Sequence, residues 1–212
     1  MAKLLIMLGA GGHASVLMDM LKRLGLELHA VVSPDRIPST SLLSGITRIE
    51  TDELLVNHYS PDQVVLVNGV GSMPGHDVQK KLFLSYSELG YCFLNVVSPQ
   101  ALVSEHVKLG MGVQIMAGAI VQTGAKIGNN SIINSGAIVE HDCIIGSHNH
   151  VAPGATLSGG VVTGSSVHIG TGANVIQNIT IGDSAIIGAG TTLVKNVGAG
   201  QRVIPSAMRF LS

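Results

Sequence analysis

A hexapeptide repeat in the second half of the chain constrains its fold more than any other feature. Counted in steps of six from Val97 to Leu193, sixteen of the seventeen residues are Val, Ile or Leu, and the exception is Thr163. The same count started two residues later meets no Val, Ile or Leu at all. A sustained period of six is typical of a parallel β-helix. A β-sandwich, the alternative, would show a period of two and irregular spacing.

The repeat also predicts how each coil is built. Three hexapeptides form one triangular coil, so the repeat makes about five coils with the large aliphatic side chains stacked inside. Two positions before many of them stands a small or β-branched residue expected to fit the corner: Ala119, Ala125, Ala137, Ala155, Val167 and Ala185. We expect glycines and Asn at the turns to supply positive φ. Glycines recur one position after the large aliphatic residues: Gly110, Gly128, Gly146, Gly164, Gly170, Gly182 and Gly188.

The first half of the chain alternates between strands and helices. Apolar runs predict buried strands at 3–8, 28–32 and 63–68. Helical spacing of apolar residues predicts helices at 15–24, 51–57 and 77–89. This alternation indicates a parallel sheet, about half of a doubly wound nucleotide-binding fold. The sequence therefore predicts a Rossmann-like α/β half-domain at 1–96, followed by a β-helix domain at 97–212.

A glycine-rich loop, GAGGHA, joins the first predicted strand to the first predicted helix. Gly9, Gly11 and Gly12 let a ligand approach the backbone, and the helix N-terminus adds N–H donors for a phosphate. The loop matches the dinucleotide fingerprint G-x-G-x-x-A, and a tight turn without a ligand is the alternative. An oxidoreductase would need an acidic residue at the end of the second strand. Here that position is Ser33, with Asp35 two residues further on.

Composition excludes several classes of function. The net charge is -1 and no aromatic residue lies between Leu94 and Arg209, so the chain lacks the basic patch and the stacking platform of a nucleic-acid-binding protein. Its two cysteines, Cys92 and Cys143, form no CxxC motif and favour a reducing compartment, which predicts a cytoplasmic protein. No apolar run approaches the roughly 18 residues of a membrane span, so we expect no membrane insertion.

One histidine of the β-helix has a carboxylate on either side. His141 lies outside the inward-pointing phase, between Glu140 and Asp142. A carboxylate orients an imidazole and favours its protonated form, so His141 is a candidate general base, and the sequence leaves open which carboxylate assists it. An exposed polar run without chemistry is one alternative. Another alternative is a zinc site built from His141, His148, His150 and His168, although the spacing of these histidines does not favour one. We expect no metal.

The two halves together resemble one family. The GAGGH loop, the strand end VNGVGS and Asn-Ser-Gly ahead of Glu-His-Asp-Cys stand in the order of the bacterial sugar acetyltransferases of the PglD/NeuD type, and the resemblance covers essentially the whole chain. It implies a left-handed β-helix and acetyl transfer from acetyl-CoA to a sugar. A nucleotide-linked 4-amino-deoxy sugar is the expected acceptor, and a sialic acid is the alternative. A nucleotide-dependent oxidoreductase and a non-catalytic scaffold are alternatives of another class.

The resemblance also implies roles for individual residues. His141 would be the general base, with Asn134 and His13 around the acceptor, although by local sequence His13 could equally be a solvated helix residue. The N-terminal residues expected to contact the nucleotide sugar are Gly9, Gly11, Gly12, His13, Ser33, Asp35, Asn68 and Gly69. The residues expected around acetyl-CoA are His150 near the acetyl group, Gly159 with its N–H on the thioester carbonyl, and Thr171 and Ala189 along the pantetheine.

Two positions depart from the family pattern. Ser33 replaces the family's aspartate, and Pro205-Ser206-Ala207-Met208 replaces its Gly-x-Pro-Ala. Neither cysteine has a clear activating partner beyond His141, so we expect direct transfer rather than an acyl-enzyme. The β-helix carries few charges, which predicts that its flat faces are buried in a closed homotrimer with active sites between subunits.

Overall fold

The computed structural model describes residues 3–205, and the chain divides into two compact units. The N-terminal unit runs to Pro99 and includes Gly110–Gln114. The β-helix unit contains Gln100–Leu109 and the chain from Ile115 onward. Of the C-terminal departure, Ser206, Ala207 and Met208 lie outside the described residues. Within 3–205, no helix combines the length and apolar character needed to cross a bilayer.

The N-terminal unit contains a four-stranded parallel sheet and three helices among its described residues. The strands are β1 (Leu4–Leu8), β2 (Ala30–Val32), β3 (Thr47–Ile49) and β4 (Val64–Asn68). The helices are α1 (Gly12–Arg23), α2 (Asp52–His58) and α3 (Val78–Glu88). The sheet order is β3-β2-β1-β4, which confirms the Rossmann-like half-domain.

Local sequence explains most of these elements. Gly25 and Gly90, both at positive φ, follow α1 and α3, where the backbone must leave the helix in the left-handed region. Strand β3 escaped the sequence analysis because it is a three-residue edge strand with Arg48 at its centre, and therefore shows no apolar run. The core of the unit packs helix residues such as Phe83 and Tyr86 against the sheet residues Ile6 and Leu66.

The rest of the described chain forms two-residue strands that recur every six residues, except that the last begins ten residues after the one before it. They are β5 (Val96–Val97), β6 (Leu102–Val103), β7 (Lys108–Leu109), β8 (Gln114–Ile115), β9 (Ile120–Val121), β10 (Lys126–Ile127), β11 (Ile132–Ile133), β12 (Ile138–Val139), β13 (Ile144–Ile145), β14 (His150–Val151), β15 (Thr156–Leu157), β16 (Val162–Thr163), β17 (His168–Ile169), β18 (Asn174–Val175), β19 (Thr180–Ile181), β20 (Ile186–Ile187), β21 (Thr192–Leu193) and β22 (Arg202–Val203). Strands one coil apart pair in parallel, which builds the three faces of a left-handed β-helix.

The predicted inward phase is confirmed from Ile115 onward, whereas its first three residues, Val97, Val103 and Leu109, are only half-buried. Every residue of that phase from Ile115 to Leu193 is buried, including Thr163. The Thr163 hydroxyl accepts hydrogen bonds from the backbone N–H of Gly146 (3.1 Å) and from Asn149 Nδ2 (2.5 Å). A polar side chain is therefore tolerated in the aliphatic column because its oxygen is paired.

Glycine and Asn supply positive φ at turns of the β-helix, as predicted, but the glycines that recur one position after the inward residue are not among them. Positive φ occurs three positions after the inward residue, at Gly118, Gly124 and Asp142 for example, and not one position after it. The glycines one position after it are close-approach sites: a Cβ on Gly128 would lie 2.5 Å from the carbonyl carbon of Gly146 in the next coil. These glycines are required because coils stack backbone against backbone, which leaves no room for a side chain.

Candidate active site

The turn after β12 carries His141 and its neighbouring carboxylates. Val139 points inward, and the chain then turns outward, so the His141 side chain is 60% exposed. Its Nδ1 lies 2.9 Å from Asp142 Oδ2. Asp142 sits at the positive-φ position of the turn, with φ 59°. Among residues 3–205, the Glu140 carboxylate has no hydrogen-bond or ion-pair partner, so Asp142 is the carboxylate that orients the ring.

One coil further along, Gly159 lies directly beside the His141 ring. A Cβ built on Gly159 would lie 2.5 Å from His141 Nε2, so only glycine fits without moving the imidazole. The neighbouring Gly160 N–H donates to the His141 carbonyl (2.9 Å), which fixes the two turns relative to each other. The Gly159 N–H itself has no acceptor within the described part of the chain. The geometry thus combines an exposed imidazole nitrogen with a nearby unpaired backbone donor.

A second cluster contains Asn134, His150 and His168. The Ser135 N–H donates to Asn134 Oδ1 (2.8 Å), which leaves Asn134 Nδ2 to donate to His150 Nε2 (3.0 Å). In this arrangement His150 Nε2 accepts the hydrogen bond, which places the ring proton on Nδ1. His168 packs edge-on against His150, with ring centroids 5.0 Å apart, and burial lowers its pKa. The sequence analysis paired neither Asn134 with His150 nor His150 with His168, although the last two are one coil apart.

The two remaining β-helix candidates lie at exposed turns. Thr171 follows β17 and Ala189 follows β20, one coil apart, and Gly190 N–H donates to the Thr171 carbonyl (2.9 Å). Among residues 3–205, no side-chain hydrogen bond joins Thr171 to His141 or His150. No group of three or more His, Cys, Asp or Glu side chains within 3–205 is arranged to hold a metal ion.

In the N-terminal unit, the glycines of the GAGGH loop differ from one another. Gly9 is required by the fold, since its φ is +91° and a Cβ would lie 2.8 Å from Val70 Cγ2. Gly11 and Gly12 have no such reason: neither has a positive φ, and a Cβ on either meets no other heavy atom within 4 Å. Helix α1 also begins with no side-chain cap and no acidic residue in its first turn. This space beside uncapped N–H groups suits an anion.

Asn68 and Gly69, at the end of β4, serve the fold. The buried Asn68 side chain donates to the Gln79 carbonyl (2.8 Å), and a Cβ on Gly69 would lie 2.8 Å from the Leu8 carbonyl oxygen. His13 Nε2 forms a hydrogen bond with Gln114 Oε1 (2.7 Å). Gln114 is buried, and the sequence analysis did not identify it. Local sequence could not identify Gln114, because it lies 101 residues from His13.

Ser33 closes the end of β2 instead of reaching outward. It is buried, its Oγ donates to the Asp35 carbonyl (3.0 Å), and its own carbonyl accepts from Arg48 (3.1 Å). Asp35 is exposed. A cavity of about 350 Å³ beside this turn has Arg36 and Arg48 in its lining. Arginines therefore stand near the position where the family has an acidic side chain.

Comparison with known proteins identifies relatives over the whole chain. The family model described as the PglD N-terminal domain matches residues 4–76, and the bacterial transferase hexapeptide model matches 106–140 and 124–159. A comparison with curated protein sequences gives no match.

Solved structures give the strongest similarity. The acetyltransferase domain of PglB from Neisseria gonorrhoeae is 32% identical, with a TM-score of 0.85, over 96% of this chain and 97% of that one. A variant of perosamine N-acetyltransferase from Caulobacter crescentus, in complex with CoA and GDP-perosamine, is 31% identical, with a TM-score of 0.84, over 97% and 95%. WeeI from Acinetobacter baumannii, at 24% identity and a TM-score of 0.82 over 99% and 100%, shares the fold. At this identity and coverage, the chain belongs to the PglD-type bacterial sugar acetyltransferases, acyltransferases that use acetyl-CoA.

Proposed function

We propose that this enzyme transfers the acetyl group of acetyl-CoA directly to the amino group of a nucleotide-linked 4-amino-deoxy sugar, with His141 as the general base. The observation that carries the proposal is the contact of His141 Nδ1 with Asp142 at 2.9 Å, because it leaves Nε2 as the proton acceptor. Nε2 is also the ring nitrogen that faces Gly159. Membership of the family sets aside a non-catalytic scaffold and an oxidoreductase.

The reaction follows from these groups. The sugar nitrogen attacks the thioester carbonyl carbon as His141 Nε2 takes its proton, and Asp142 stabilises the imidazolium. The Gly159 N–H donates to the developing oxyanion, a contribution of about 3 kcal/mol in comparable sites. The C–S bond then breaks, and the proton passes from His141 to the departing thiolate of CoA. Asn134 and His150 are proposed to hold the acetyl group and the acceptor, and Thr171 and Ala189 the pantetheine arm.

Cys143 is unsuited to form an acyl-enzyme. It is buried, and its thiol donates to the Ser158 carbonyl (3.3 Å). Burial raises its pKa, and the nearby carboxylates of Glu140 and Asp142 act in the same direction. Because the thiolate is the nucleophilic form, a raised pKa disfavours attack by sulfur. The properties of the Cys143 thiol therefore support direct transfer of the acetyl group rather than an acyl-enzyme.

The N-terminal unit is proposed to bind the nucleotide part of the acceptor. The open space at Gly11 and Gly12, beside the uncapped start of α1, would receive the diphosphate. Gly9, Asn68 and Gly69 would support this loop by holding the strand ends. Asp35 and the neighbouring arginines would face the nucleoside, while the buried Ser33 would hold the turn that carries Asp35. In support, the Caulobacter relative was solved with GDP-perosamine and CoA, in forms that include two variants of one histidine, and the Neisseria relative with acetyl coenzyme A.

We further propose a cytoplasmic homotrimer with active sites between subunits. The paired residues Ile144 and Val162 present exposed apolar side chains on one face of the β-helix, where a neighbouring copy would cover them. Both cysteines are free, as a reducing compartment would keep them. Light scattering should give the mass of three chains. A monomer of about the single-chain mass, 21.9 kDa, would contradict the assembly.

An acceptor screen tests the proposed reaction. The protein is incubated with acetyl-CoA and UDP-, GDP- or dTDP-linked amino sugars, with the matching hydroxy sugars and free sialic acids as controls. We expect thiol release and an acetylated product with at least one nucleotide-linked amino sugar. Acetylation of sialic acids alone would favour O-acetyl transfer to an unactivated sugar. If none of the acceptors led to thiol release, the result would contradict the proposal.

A further inference from the structure

Gln114 uses both ends of its side-chain amide inside the N-terminal unit. It is 1% exposed. Its Nε2 donates to the backbone carbonyl of Asn68 (2.7 Å), and its Oε1 lies 2.7 Å from His13 Nε2. A buried amide with both ends paired is held in one orientation.

That orientation determines which nitrogen of His13 carries the proton. The Asn68 carbonyl can only accept, so the Gln114 amino group must face it, and the amide oxygen must face His13. Because this oxygen can only accept, His13 Nε2 must carry a hydrogen. Burial lowers the pKa of His13, partly offset by the bond to Gln114, and no charged side chain within 3–205 contributes to the shift. The ring is therefore neutral near pH 7, and its Nδ1 holds a lone pair.

His13 Nδ1 is also unoccupied. It has no hydrogen-bond partner among residues 3–205. His13 lies in the first turn of α1, immediately after Gly11 and Gly12, where the proposed diphosphate site begins. A nitrogen with a lone pair cannot donate to a phosphate, but it can accept from an N–H or O–H group.

We infer that Gln114 is a positioning residue that fixes His13 as its Nε2–H tautomer, so that Nδ1 accepts a hydrogen bond from the amino or hydroxyl group of the sugar and does not contact the phosphates. This inference rests on the proposed function. It separates His13 from His141 and His150, whose neighbours place the proton on Nδ1. The loop then divides into two parts: the glycine backbone recognises the anion, and His13 recognises the acceptor group.

Nuclear magnetic resonance of ¹⁵N-histidine-labelled full-length protein tests the tautomer. In the ligand-free protein near pH 7.5, we expect the neutral Nε2–H pattern for His13, assigned by loss of its signals in His13→Gln. An Nδ1–H pattern, or a charged ring, would overturn the inference whatever the activity. In Gln114→Met the preference should be lost, and in Gln114→Glu the added carboxylate should favour the charged ring. If Gln114→Met kept a pure Nε2–H tautomer, Gln114 would not be what fixes it.

Ligand titration tests the role in recognition. The nucleotide-linked amino sugar should shift the His13 Nδ1 resonance, whereas the nucleoside diphosphate alone should bind without shifting it. A shift of the same size with the diphosphate alone would assign His13 to the phosphates and overturn the inference. In kinetics, Gln114→Met should raise the KM of the acceptor about three- to tenfold, as for loss of one neutral hydrogen bond, and leave the KM of acetyl-CoA unchanged. If no acceptor is ever acetylated, the proposed function fails while the tautomer measurement still stands.

Discussion

The structural reasons for glycine differ between the two units of this molecule. In the β-helix unit, glycines such as Gly128 are demanded by the fold, because a Cβ would overlap the backbone of the next coil. In the N-terminal unit, nothing in the described part of the chain requires glycine at positions 11 and 12, since φ is not positive and the space around them is open. A glycine that the fold does not require is a sign that something else must approach the backbone there.

The same contrast applies to the charged and polar residues. Most of the β-helix is explained by stacking, whereas the His141–Asp142 pair is exposed and is not explained by stacking. The proposed function divides the work between the two units, with acceptor binding in one and acetyl transfer in the other. The predictions that follow test this division, beginning with the largest effect.

Replacing His141 tests the chemical half of the division. His141→Ala should lower kcat by about 10²–10⁴-fold, the usual contribution of a general base, with a much smaller change in affinity for acetyl-CoA. Because the side chain is exposed, the free energy of unfolding should change by less than about 0.5 kcal/mol. Steady-state thiol release and chemical denaturation measure both quantities. The exposed His106 provides the control, as His106→Ala. Near-normal turnover in folded His141→Ala would show that another residue is the general base, and His13 would be the next candidate.

Adding a methyl group to a coil glycine tests the structural half. Gly128→Ala should lower the free energy of unfolding by about 1–3 kcal/mol, because the new Cβ has no room against Gly146. The matched control is Gly136→Ala, where φ is +65° but no atom lies near, so that only the backbone strain of about 1 kcal/mol is expected. Equal losses in urea denaturation would show that coil packing is not what selects glycine at position 128.

Changing the open loop tests the binding half. Gly11→Asp should raise the KM of the acceptor about tenfold or more, because a carboxylate would occupy and repel the proposed phosphate site. The free energy of unfolding should be nearly unchanged, since a Cβ at this position meets no other heavy atom within 4 Å. The comparison variant is Gly11→Asn, which has a similar size without the charge and should have a smaller effect. An unchanged KM for the acceptor in Gly11→Asp would mean that the loop is only a turn.

The smallest expected effect concerns the pH dependence of stability. Burial places the folded-state pKa of His168 below its ordinary value of 6.5. As the pH falls below 6.5, the unfolded chain takes up the proton first, so stability declines until the folded-state pKa is reached. His168→Phe should remove this decline, worth up to about 1.4 kcal/mol per pH unit. Urea denaturation at pH 7.5 and 5.5 measures it. If the free energy of unfolding fell equally in the wild-type protein and in His168→Phe, the decline could not be assigned to His168.

The two units also differ in how much the sequence could predict. In the β-helix unit, one phase of a six-residue period predicted every buried column position from Ile115 onward, because each coil repeats the same local rule. In the N-terminal unit, strand β3 was missed, because edge pairing and not an apolar run creates it.

The candidate site shows the same limit. His141 was found because its neighbours in sequence are its neighbours in space. The sequence could not choose between Glu140 and Asp142, since the choice depends on the left-handed turn at Asp142. Gln114 was invisible because its partners, His13 and Asn68, are 101 and 46 residues away. Partners that meet only through the fold leave no local pattern in the chain.

One double-variant measurement tests the division of labour most directly. The kcat/KM for the acceptor is determined in the wild-type protein, His141→Ala, Gly11→Asp and the double variant. If the loop binds the acceptor and His141 moves the proton, the two losses should multiply, with free energies additive to within about 0.5 kcal/mol. A double variant no worse than His141→Ala alone would contradict the account, because the loop and the histidine would then act as one unit.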